Sequence, residues 1–539
     1  MSSTQANEQP VLVVYDIRGI QDFVFRTNRV KDIVGASAIV ADVLENSIKG
    51  WFEQQGNIKE FVFEWFDSSA NAAKPFLFRD DPGIQAEVLY IGGGNAYAAY
   101  RSNALAMEAS AWIARKILRD THTLSLASAS VYMTDNYLED QRALMERLAR
   151  IKAEGRMPRP SAGFPFTIEE LGSGLPCVSR DGGDRISAET QHKRRRYDHV
   201  KKAQEAKDSG AWQYELEFDS MVLQKGRNSL LAVVHLDGNN LGQGIKERLE
   251  KEKEYSKAVE KMRRISLNIT SAFQQGAFDE MLEKFGSDAR NFDESNPIPF
   301  RPIIRAGDDL TFVCRANLAM ELTRRFLVAV GQYSLDGKVE PGQAAGTKGF
   351  SACAGIAYVN SHFPFSQAYD MAESLCKLAK DKAKAKAAKS RRPVGSYVDF
   401  HLNYSGNIED IKTLREREYV LYESGQKPLK LLQRPYRMDN EGMDNEGKEA
   451  PDHYTQLKKK TEHLCSDKAP RKWIKEARDA YHVSKAAVDN VFNRAGSLEG
   501  RSLYPGWMED KVTFKNEVAT MYDALEMFDI LSGLAEETP

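Results

Sequence analysis

The sequence lacks the segments that would carry a protein into or across a membrane. Residues 1–10 contain neither the basic flank nor the apolar run of a signal peptide. No later stretch approaches the ~18 uninterrupted apolar residues of a membrane span. The sequence therefore predicts a cytoplasmic protein with no membrane contact.

Cysteine is scarce, and its spacing argues against a disulfide framework. The number of cysteines is odd and none forms a CxxC pair, which is typical of a reducing compartment. Cys177 with His192 and His199 would supply only three zinc ligands, whereas a structural zinc site normally uses four. The sequence therefore disfavours structural zinc. The cysteines are Cys177, Cys314, Cys353, Cys376 and Cys465.

The chain also has no excess of charge of either sign. Its 75 basic and 77 acidic side chains give a formal net charge of −2, so any site for a polyanion must be local. A hydrophobic fraction of 42% with 28% charged residues is ordinary for a globular protein. At 539 residues the chain is too long for one core, and domains of roughly 100–200 residues predict three or four of them.

One pattern occurs twice along the chain. The segment 89–108 runs parallel to the segment 303–321, and both read as strand, tight turn, strand and helix. Each is preceded by an apolar strand that ends in an aspartate, Asp16 in the first copy and Asp237 in the second. Each is followed by a further strand and a helix. This order predicts an antiparallel sheet backed by helices, the ferredoxin-like plan.

We therefore predict an α+β protein with two ferredoxin-like palm domains and a C-terminal helical domain. The first palm should occupy residues 1–160 and the second, catalytic palm residues 228–399. Residues 161–227 hold a Gly/Pro-rich loop and a basic run, which indicates an insertion between the palms. Residues 400–539 carry apolar residues at helical spacing, which predicts the helical domain.

The second copy carries a set of carboxylates suited to metal binding. Asp308 and Asp309 follow Gly307 at the predicted hairpin turn, where Asp237 can join them. Three carboxylates at one sheet edge are costly unless cations neutralise them. Oxygen ligands of this kind suit Mg²⁺ or Mn²⁺, and two such ions would support an in-line displacement at phosphorus. Gly and Asp also dominate plain β-turns, but the partner aspartate, the apolar flanks and the repeat favour a functional site.

The helix after the second palm's last strand is rich in lysine. Lys377, Lys380 and Lys384 lie on one face beside the predicted buried stripe. Lys380 and Lys384 so placed could neutralise a nucleotide triphosphate, and we expect a phosphate contact for Lys380 in particular. A solvated charged face is the alternative for the rest of this run.

The first copy lacks the paired carboxylates. Gly94 and Asn95 stand at the positions of Asp308 and Asp309, so this palm should not hold two divalent ions. Its turn glycine, Gly93, still lets backbone amides approach a phosphate closely. We therefore expect the first palm to hold an acceptor nucleotide without catalysing the reaction.

With these residues assembled, the chain resembles the polymerase-like large subunit of type III CRISPR effector complexes, a family related to the GGDEF cyclases. The resemblance covers roughly residues 11–390. Its first-palm motifs correspond to residues 16–25, 30–37 and 92–95, and its second-palm motifs to residues 236–242, 306–309 and 378–380. Membership would imply a cyclase that joins ATP into cyclic oligoadenylates.

The resemblance also implies roles for single residues. Asp237, Asp308 and Asp309 become metal ligands, Lys380 a phosphate contact, and Gly35 and Ser37 part of the first palm's nucleotide pocket. The chain departs from the family pattern where Ala306 replaces a glycine and Asn239 replaces an acidic residue. The family's cysteine-pair element is reduced to Cys177. We expect a short form without the N-terminal nuclease domain.

The sequence thus predicts a Mg²⁺- or Mn²⁺-dependent nucleotidyltransferase that makes a cyclic or linear oligonucleotide signal from ATP in antiviral defence. The first alternative is a catalytically weak nucleotide-binding scaffold or sensor subunit of a CRISPR-like or other defence complex. The second is a diguanylate or mononucleotide cyclase, which usually pairs palms across a homodimer. Nucleoside triphosphates are the expected ligands, and RNA or protein subunits of a defence complex are candidate partners. Base preference and oligomeric state stay open.

Overall fold

The structure is a computed structural model of the 539-residue chain. The residues that it describes are 9–70, 72–92, 94–155, 166–205, 214–222, 229–286, 297–339, 349–391, 393–403, 410–425, 427–439, 452–497, 502–508 and 510–531. Within these ranges, no helix combines the length and the apolar character needed to cross a bilayer.

The first palm is built on a sheet whose four long strands are all antiparallel. Its strands are β1 (Val11–Arg18), β2 (Phe61–Val62), β3 (Phe66–Asp67), β4 (Ala72–Ala73), β5 (Ala86–Gly92), β6 (Asn95–Tyr100) and β7 (Ser125–Tyr132). Its helices are α1 (Ile20–Phe25), α2 (Val30–Gln54), α3 (Asn103–Thr121) and α4 (Tyr137–Glu154). The order β5-β6-β1-β7 is that of a ferredoxin-like sheet, with β2 added at one edge.

The segment between the palms packs on the first palm. It contains the hairpin β8 (Cys177–Asp181) and β9 (Asp184–Ser187) and the helices α5 (Ala188–Glu205) and α6 (Phe218–Met221). The basic run predicted from the sequence lies on α5 and is used in packing. The Lys193 ammonium is fully buried, where it pairs with Glu189 and donates to Phe23 O at 2.5 Å. Arg194 pairs with Asp32 of α2 at 2.9 Å.

The second palm repeats the plan of the first. Its strands are β10 (Leu230–Gly238), β11 (Phe300–Ala306), β12 (Asp309–Arg315), β13 (Tyr333–Ser334), β14 (Gly337–Lys338) and β15 (Ala352–Asn360). Its helices are α7 (Leu241–Leu249), α8 (Tyr255–Ile269), the π-helix Thr270–Gly276, α9 (Ala277–Gly286), the 3₁₀ helix Ala316–Leu318, α10 (Ala319–Val330) and α11 (Phe365–Ser390). The order β11-β12-β10-β15 matches β5-β6-β1-β7 strand for strand.

Helix α11 lies close against this sheet because of one glycine on β15. A Cβ at Gly355 would lie 1.9 Å from the Ala372 carbonyl oxygen, so no side chain fits there. Ala368, Ala372, Leu375 and Ala379 of α11 are buried, as the predicted stripe requires. This contact sets the distance between the lysine-rich helix and the sheet.

The second sheet continues past residue 399, the boundary expected from the sequence. Strand β16 (Tyr397–Leu402) returns from α11 to lie parallel to β15, as a strand–helix–strand crossover does. Farther along are β17 (Val420–Leu421), β18 (Leu429–Lys430), β19 (Tyr436–Arg437), β20 (Phe514–Lys515) and β21 (Val518–Ala519). The helices are α12 (Ile411–Glu418), α13 (Tyr454–Cys465), α14 (Arg471–Ala480), α15 (Lys485–Gly496) and α16 (Tyr522–Leu531). The predicted α+β class with a helical C-terminal region is confirmed.

Candidate active site

The tip of the β11–β12 hairpin brings the three predicted aspartates together. Ala306 pairs with Asp309 across a two-residue turn, in which Gly307 has a φ of 59°. This left-handed conformation suits glycine because it has no Cβ. Strand β10 pairs with β12 as far as Leu236 and Leu310, so the next position places Asp237 beside Asp309.

A glycine that the sequence analysis did not single out makes room for one carboxylate. A Cβ at Gly238 would lie 2.8 Å from Asp308 Oδ2 and 3.0 Å from Asp308 Cβ. The bare backbone at the end of β10 therefore allows the Asp308 side chain to lie against it. The signal in the sequence is the glycine directly after Asp237.

The aspartates are buried enough to resist ionising together. Burial, and then the charges of Asp237 and Asp308, raise the pKa of Asp309 to about 8. Burial and Asp237 also raise the pKa of Asp308. A carboxyl group in such a position takes up either a proton or a nearby cation.

Lys380 is the cation that the structure places at this point. Its ammonium forms an ion pair with Asp237 and donates to Gly238 O at 2.8 Å. Lys380 thus contacts a carboxylate of the site, and its contact with a phosphate stays a prediction. Lys384, one turn farther along α11, is exposed. Lys382, on the same helix, donates to Gln433 O at 3.1 Å and so joins α11 to the C-terminal region.

The donor set of the site suits a divalent cation, although it is not assembled as a metal centre. In the described part of the chain, no three His, Cys, Asp or Glu side chains are grouped so as to hold a metal ion. The Asp237 carboxylate is engaged by its ion pair with Lys380. When deprotonated, the three carboxylates carry more negative charge than one lysine offsets, which is the chemistry that attracts Mg²⁺.

A cavity of about 530 Å³ opens between the palms next to Asp308. Its first-palm wall includes Tyr90 and Tyr97, whose rings stack with centroids 4.6 Å apart, and Arg142 of α4. Lys246 of α7 and Asp308 belong to the second-palm wall. A cavity of roughly 300–1,000 Å³ is the usual size for a small ligand. Of these lining residues, Asp308 was predicted from the sequence, whereas Tyr90, Tyr97, Arg142 and Lys246 were not, although the two tyrosines flank the glycine turn.

The first palm contains a matching but incomplete site. Asp16 pairs across the sheet with Asn95 and forms an ion pair with Lys152. Lys152 and Lys380 each lie 15 residues after the first residue of their helix, α4 and α11. The two palms therefore share the aspartate–lysine pair and differ at the hairpin turn, as the repeat predicts.

Comparison with known proteins identifies the second palm. Residues 230–389 match the family described as Cas10/Cmr2, second palm domain. This part of the chain is similar to that domain. No curated protein sequence matches the chain.

Three similar solved structures are distant in sequence. A Csm1–Csm4 cassette in complex with cA3 is 15% identical, with a TM-score of 0.40 over 71% of this chain and 55% of that chain. The apo Csm1–Csm4 cassette is 13% identical, with a TM-score of 0.49 over 99% of this chain and 71% of that one. Csm1 in T. onnurineus is 14% identical, with a TM-score of 0.43 over 97% and 70% of the two chains.

Asn239 of the second palm has a structural role. Its amide donates to Ser351 Oγ at 3.1 Å and to Gly395 O at 3.2 Å, and the residue is 8% exposed. These bonds join the end of β10 to the segments before β15 and β16. An acidic residue here could not donate them, which is a physical reason for the departure from the family pattern.

The predicted first-palm pocket residues separate into two groups. Ser37 lines a second cavity of about 350 Å³, where its hydroxyl donates to Ile303 O of the second palm. Gly35 is buried against α5 instead, since a Cβ there would lie 1.9 Å from Lys193 O. Gly93 lies outside the described residues.

Proposed function

We propose that the chain is a metal-dependent nucleotidyltransferase that joins ATP into a cyclic or linear oligonucleotide used as a signal in antiviral defence. The observation that carries this proposal is the convergence of Asp237, Asp308 and Asp309 beside a nucleotide-sized cavity between two palms. The match of residues 230–389 to the Cas10/Cmr2 second palm supports the same class of chemistry.

The reaction forms one P–O bond and breaks another. The 3′-hydroxyl of one nucleotide attacks the α-phosphorus of a second nucleotide, pyrophosphate leaves, and the hydroxyl proton passes to solvent. Mg²⁺ or Mn²⁺ held by Asp237, Asp308 and Asp309 would offset the charge at phosphorus and favour the deprotonated hydroxyl. Lys380 holds the Asp237 carboxylate at the site, and the cavity offers room for a nucleotide beside Asp308.

Product analysis tests the proposal directly. The purified chain is incubated with Mg²⁺ or Mn²⁺ and with each labelled nucleoside triphosphate, and products are separated by chromatography and identified by mass spectrometry. We expect ATP to yield pyrophosphate and 3′–5′-linked oligonucleotides. The matched control is Lys389→Met, a change on an exposed residue near the end of α11. Absence of product from every triphosphate, with either metal, would contradict the proposal.

One observation favours the alternative of a nucleotide-binding scaffold or sensor within a defence complex. Lys380 neutralises Asp237, which weakens the attraction of the site for a cation. Calorimetry with a non-hydrolysable ATP analogue separates the two functions. Binding of the analogue without any turnover of ATP would favour the scaffold.

A further inference from the structure

The long helical segment behind the catalytic hairpin is interrupted by a π-helix. Helix α8 passes into the π-helix Thr270–Gly276, which passes into α9. A π-turn widens the helix locally, and such segments are rare and occur frequently at functional sites. This one borders both cavities, because Thr270 lines the cavity beside Asp308 as well as the one beside Ser37.

The core-facing side of the π-helix is held by tight packing. Phe273 is fully buried, and its ring centroid lies 5.4 Å from that of Phe350 and 6.2 Å from that of Phe326. At the far end, a Cβ on Gly276 would lie 2.1 Å from the Tyr333 hydroxyl oxygen. The π-helix is therefore a rigid support for the residue that it presents to the hairpin.

That residue is Gln274, whose amide reaches the backbone of the catalytic turn. Its Nε2 donates to Gly307 O at 2.8 Å and to Asp309 O at 3.2 Å. These two carbonyls lie on either side of Asp308. A single side chain thus holds the backbone on both sides of one catalytic carboxylate and at the base of the other.

Arg305 fixes the direction of the Gln274 amide. Its Nε donates to Gln274 Oε1 at 3.3 Å, and its Nη2 donates to the Gln274 backbone carbonyl. The guanidinium carbon lies 4.0 Å from the centre of the Phe278 ring, which holds the arginine in place. Because Oε1 accepts from a permanent cation, Nε2 is the atom left to face the turn.

We propose that Gln274 is a positioning residue that keeps the Asp308 and Asp309 carboxylates aligned for metal binding. The inference rests on the proposed function and adds a residue outside the predicted site. Gln274 touches neither carboxylate in the structure, so it acts only through the backbone of the turn. Groups that orient metal ligands in this way typically change metal affinity or activity by 10–100-fold when they are altered.

Two substitutions remove the donor while keeping the length of the side chain. Gln274→Met leaves both carbonyls without their partner. Gln274→Glu keeps an acceptor for Arg305 but places a carboxylate against the two carbonyls. The matched control is Gln332→Met, because Gln332 is a glutamine of the same palm whose amide contacts Glu280 rather than the hairpin. Thermal unfolding of all variants verifies that they fold.

Three measurements are made on the full-length chain: kcat with ATP, Mn²⁺ affinity by electron paramagnetic resonance, and hydrogen–deuterium exchange of a peptide covering residues 303–312. We expect Gln274→Met and Gln274→Glu to lower kcat and Mn²⁺ affinity by about 10-fold or more and to speed exchange at the turn. The kcat and Mn²⁺ affinity of Gln332→Met should stay within about twofold of wild type, which is well below the 10-fold loss expected for the Gln274 variants.

The outcomes separate the two proposals. If wild type makes product and both Gln274 variants keep its kcat and Mn²⁺ affinity within about twofold, the positioning role is overturned. If wild type makes no product, the proposed function fails, and Mn²⁺ affinity and exchange still decide the role of Gln274. Unchanged exchange at residues 303–312 in both variants overturns it in that case as well. If Gln274→Met does not fold, Gln274→Glu, which keeps the Arg305 contact, provides the decisive comparison.

Discussion

Single residues at the hairpin tip owe their properties to where the backbone places them. Asp308 and Asp309 are ordinary aspartates in composition, yet burial and the charge of Asp237 raise the pKa of both. Gly238 and Gln274, which carry no charge, determine where the carboxylates lie and how firmly their turn is held. The chemistry of the site therefore depends on neutral residues as much as on acidic ones.

Removing the two turn carboxylates should separate activity from stability. Asp308→Asn with Asp309→Asn should abolish product formation in the product assay, because the metal ligands are lost. Without metal, the free energy of unfolding at pH 8 should rise by roughly 1–3 kcal/mol, because carboxylate repulsion and burial of charge are relieved.

The gain in stability of the Asp308→Asn, Asp309→Asn variant should depend on pH because the pKa of Asp309 is raised. The folded state holds its proton up to about pH 8, whereas the unfolded state releases it near the ordinary value of 3.8. Metal-free wild type should therefore lose stability as pH rises from about 4 to about 8, and the double variant should lose less. Chemical denaturation at both pH values measures the difference. An equal pH dependence in the two proteins would show that these carboxylates do not titrate as described.

The lysine that pairs with each palm's first aspartate provides a matched comparison. Lys380→Met should lower activity at least 10-fold, because Asp237 loses its partner and the burial of three carboxylates becomes less favourable. Lys152→Met removes the equivalent ion pair with Asp16 in the first palm and should have a much smaller effect on kcat. Steady-state kinetics on both variants checks this prediction. Equal losses would mean that the two pairs serve the same role.

At the scale of elements, close contacts between backbones hold the palms and the insertion together. Helix α5 of the insertion reaches α2 through ion pairs such as Arg194 with Asp32, and it approaches most closely where α2 has a glycine. The basic run of the insertion thus serves packing. Likewise, the lysine-rich α11 uses Lys382 and Lys386 to pair with Asp452 of the C-terminal region.

Replacement of glycine by alanine should change the free energy of unfolding differently at two positions of α2. Gly35→Ala places its Cβ against the Lys193 carbonyl and should lower the free energy of unfolding by about 1–3 kcal/mol. Gly50→Ala meets only the Trp112 ring edge, at 3.1 Å, and gains helix propensity of about 1 kcal/mol, so its net effect should be small. Urea denaturation compares the two. A neutral Gly35→Ala that weakens nucleotide binding would favour a pocket role for Gly35 over packing.

At the scale of the whole molecule, the two palms are similar in fold and unequal in chemistry. Both sheets have the same strand order, and both carry an aspartate–lysine pair at the same position. Only the second palm has carboxylates at the turn. Under the proposed function, this inequality would place catalysis in the second palm and leave the first to hold an acceptor nucleotide.

The difference between the palms predicts that an aspartate-to-asparagine substitution has different effects at the equivalent positions Asp16 and Asp237. Asp237→Asn should abolish product formation, whereas Asp16→Asn should reduce it by only a few-fold, because the first palm lacks the ligands for two cations. Calorimetry with a non-hydrolysable ATP analogue should find two sites per chain, only one of them strongly Mg²⁺-dependent. A single site, or equal losses of activity from the two substitutions, would contradict this division of labour.

The repeat made the fold class and the aspartates predictable from the sequence. The order of apolar strands and the glycine turn are local patterns, and adjacent residues such as Asp308 and Asp309 stay together at a hairpin tip whatever surrounds it. Asp237, Asp308 and Asp309 could therefore be named from the residue pattern alone. The difference between the palms could be predicted for the same reason, because it follows from comparing the two aligned turns.

The partners of the predicted site depended on contacts between segments far apart in the chain. That Lys380 reaches Asp237, and that Gly35 faces another helix, depends on packing between elements that have no common sequence pattern. The hydrogen bond from Gln274 to Gly307 depends on a π-helix, which no periodicity of the sequence predicted. Local sequence thus determined which groups can do chemistry here, whereas the tertiary structure decided how they are held, because side-chain contacts follow the packing of whole elements.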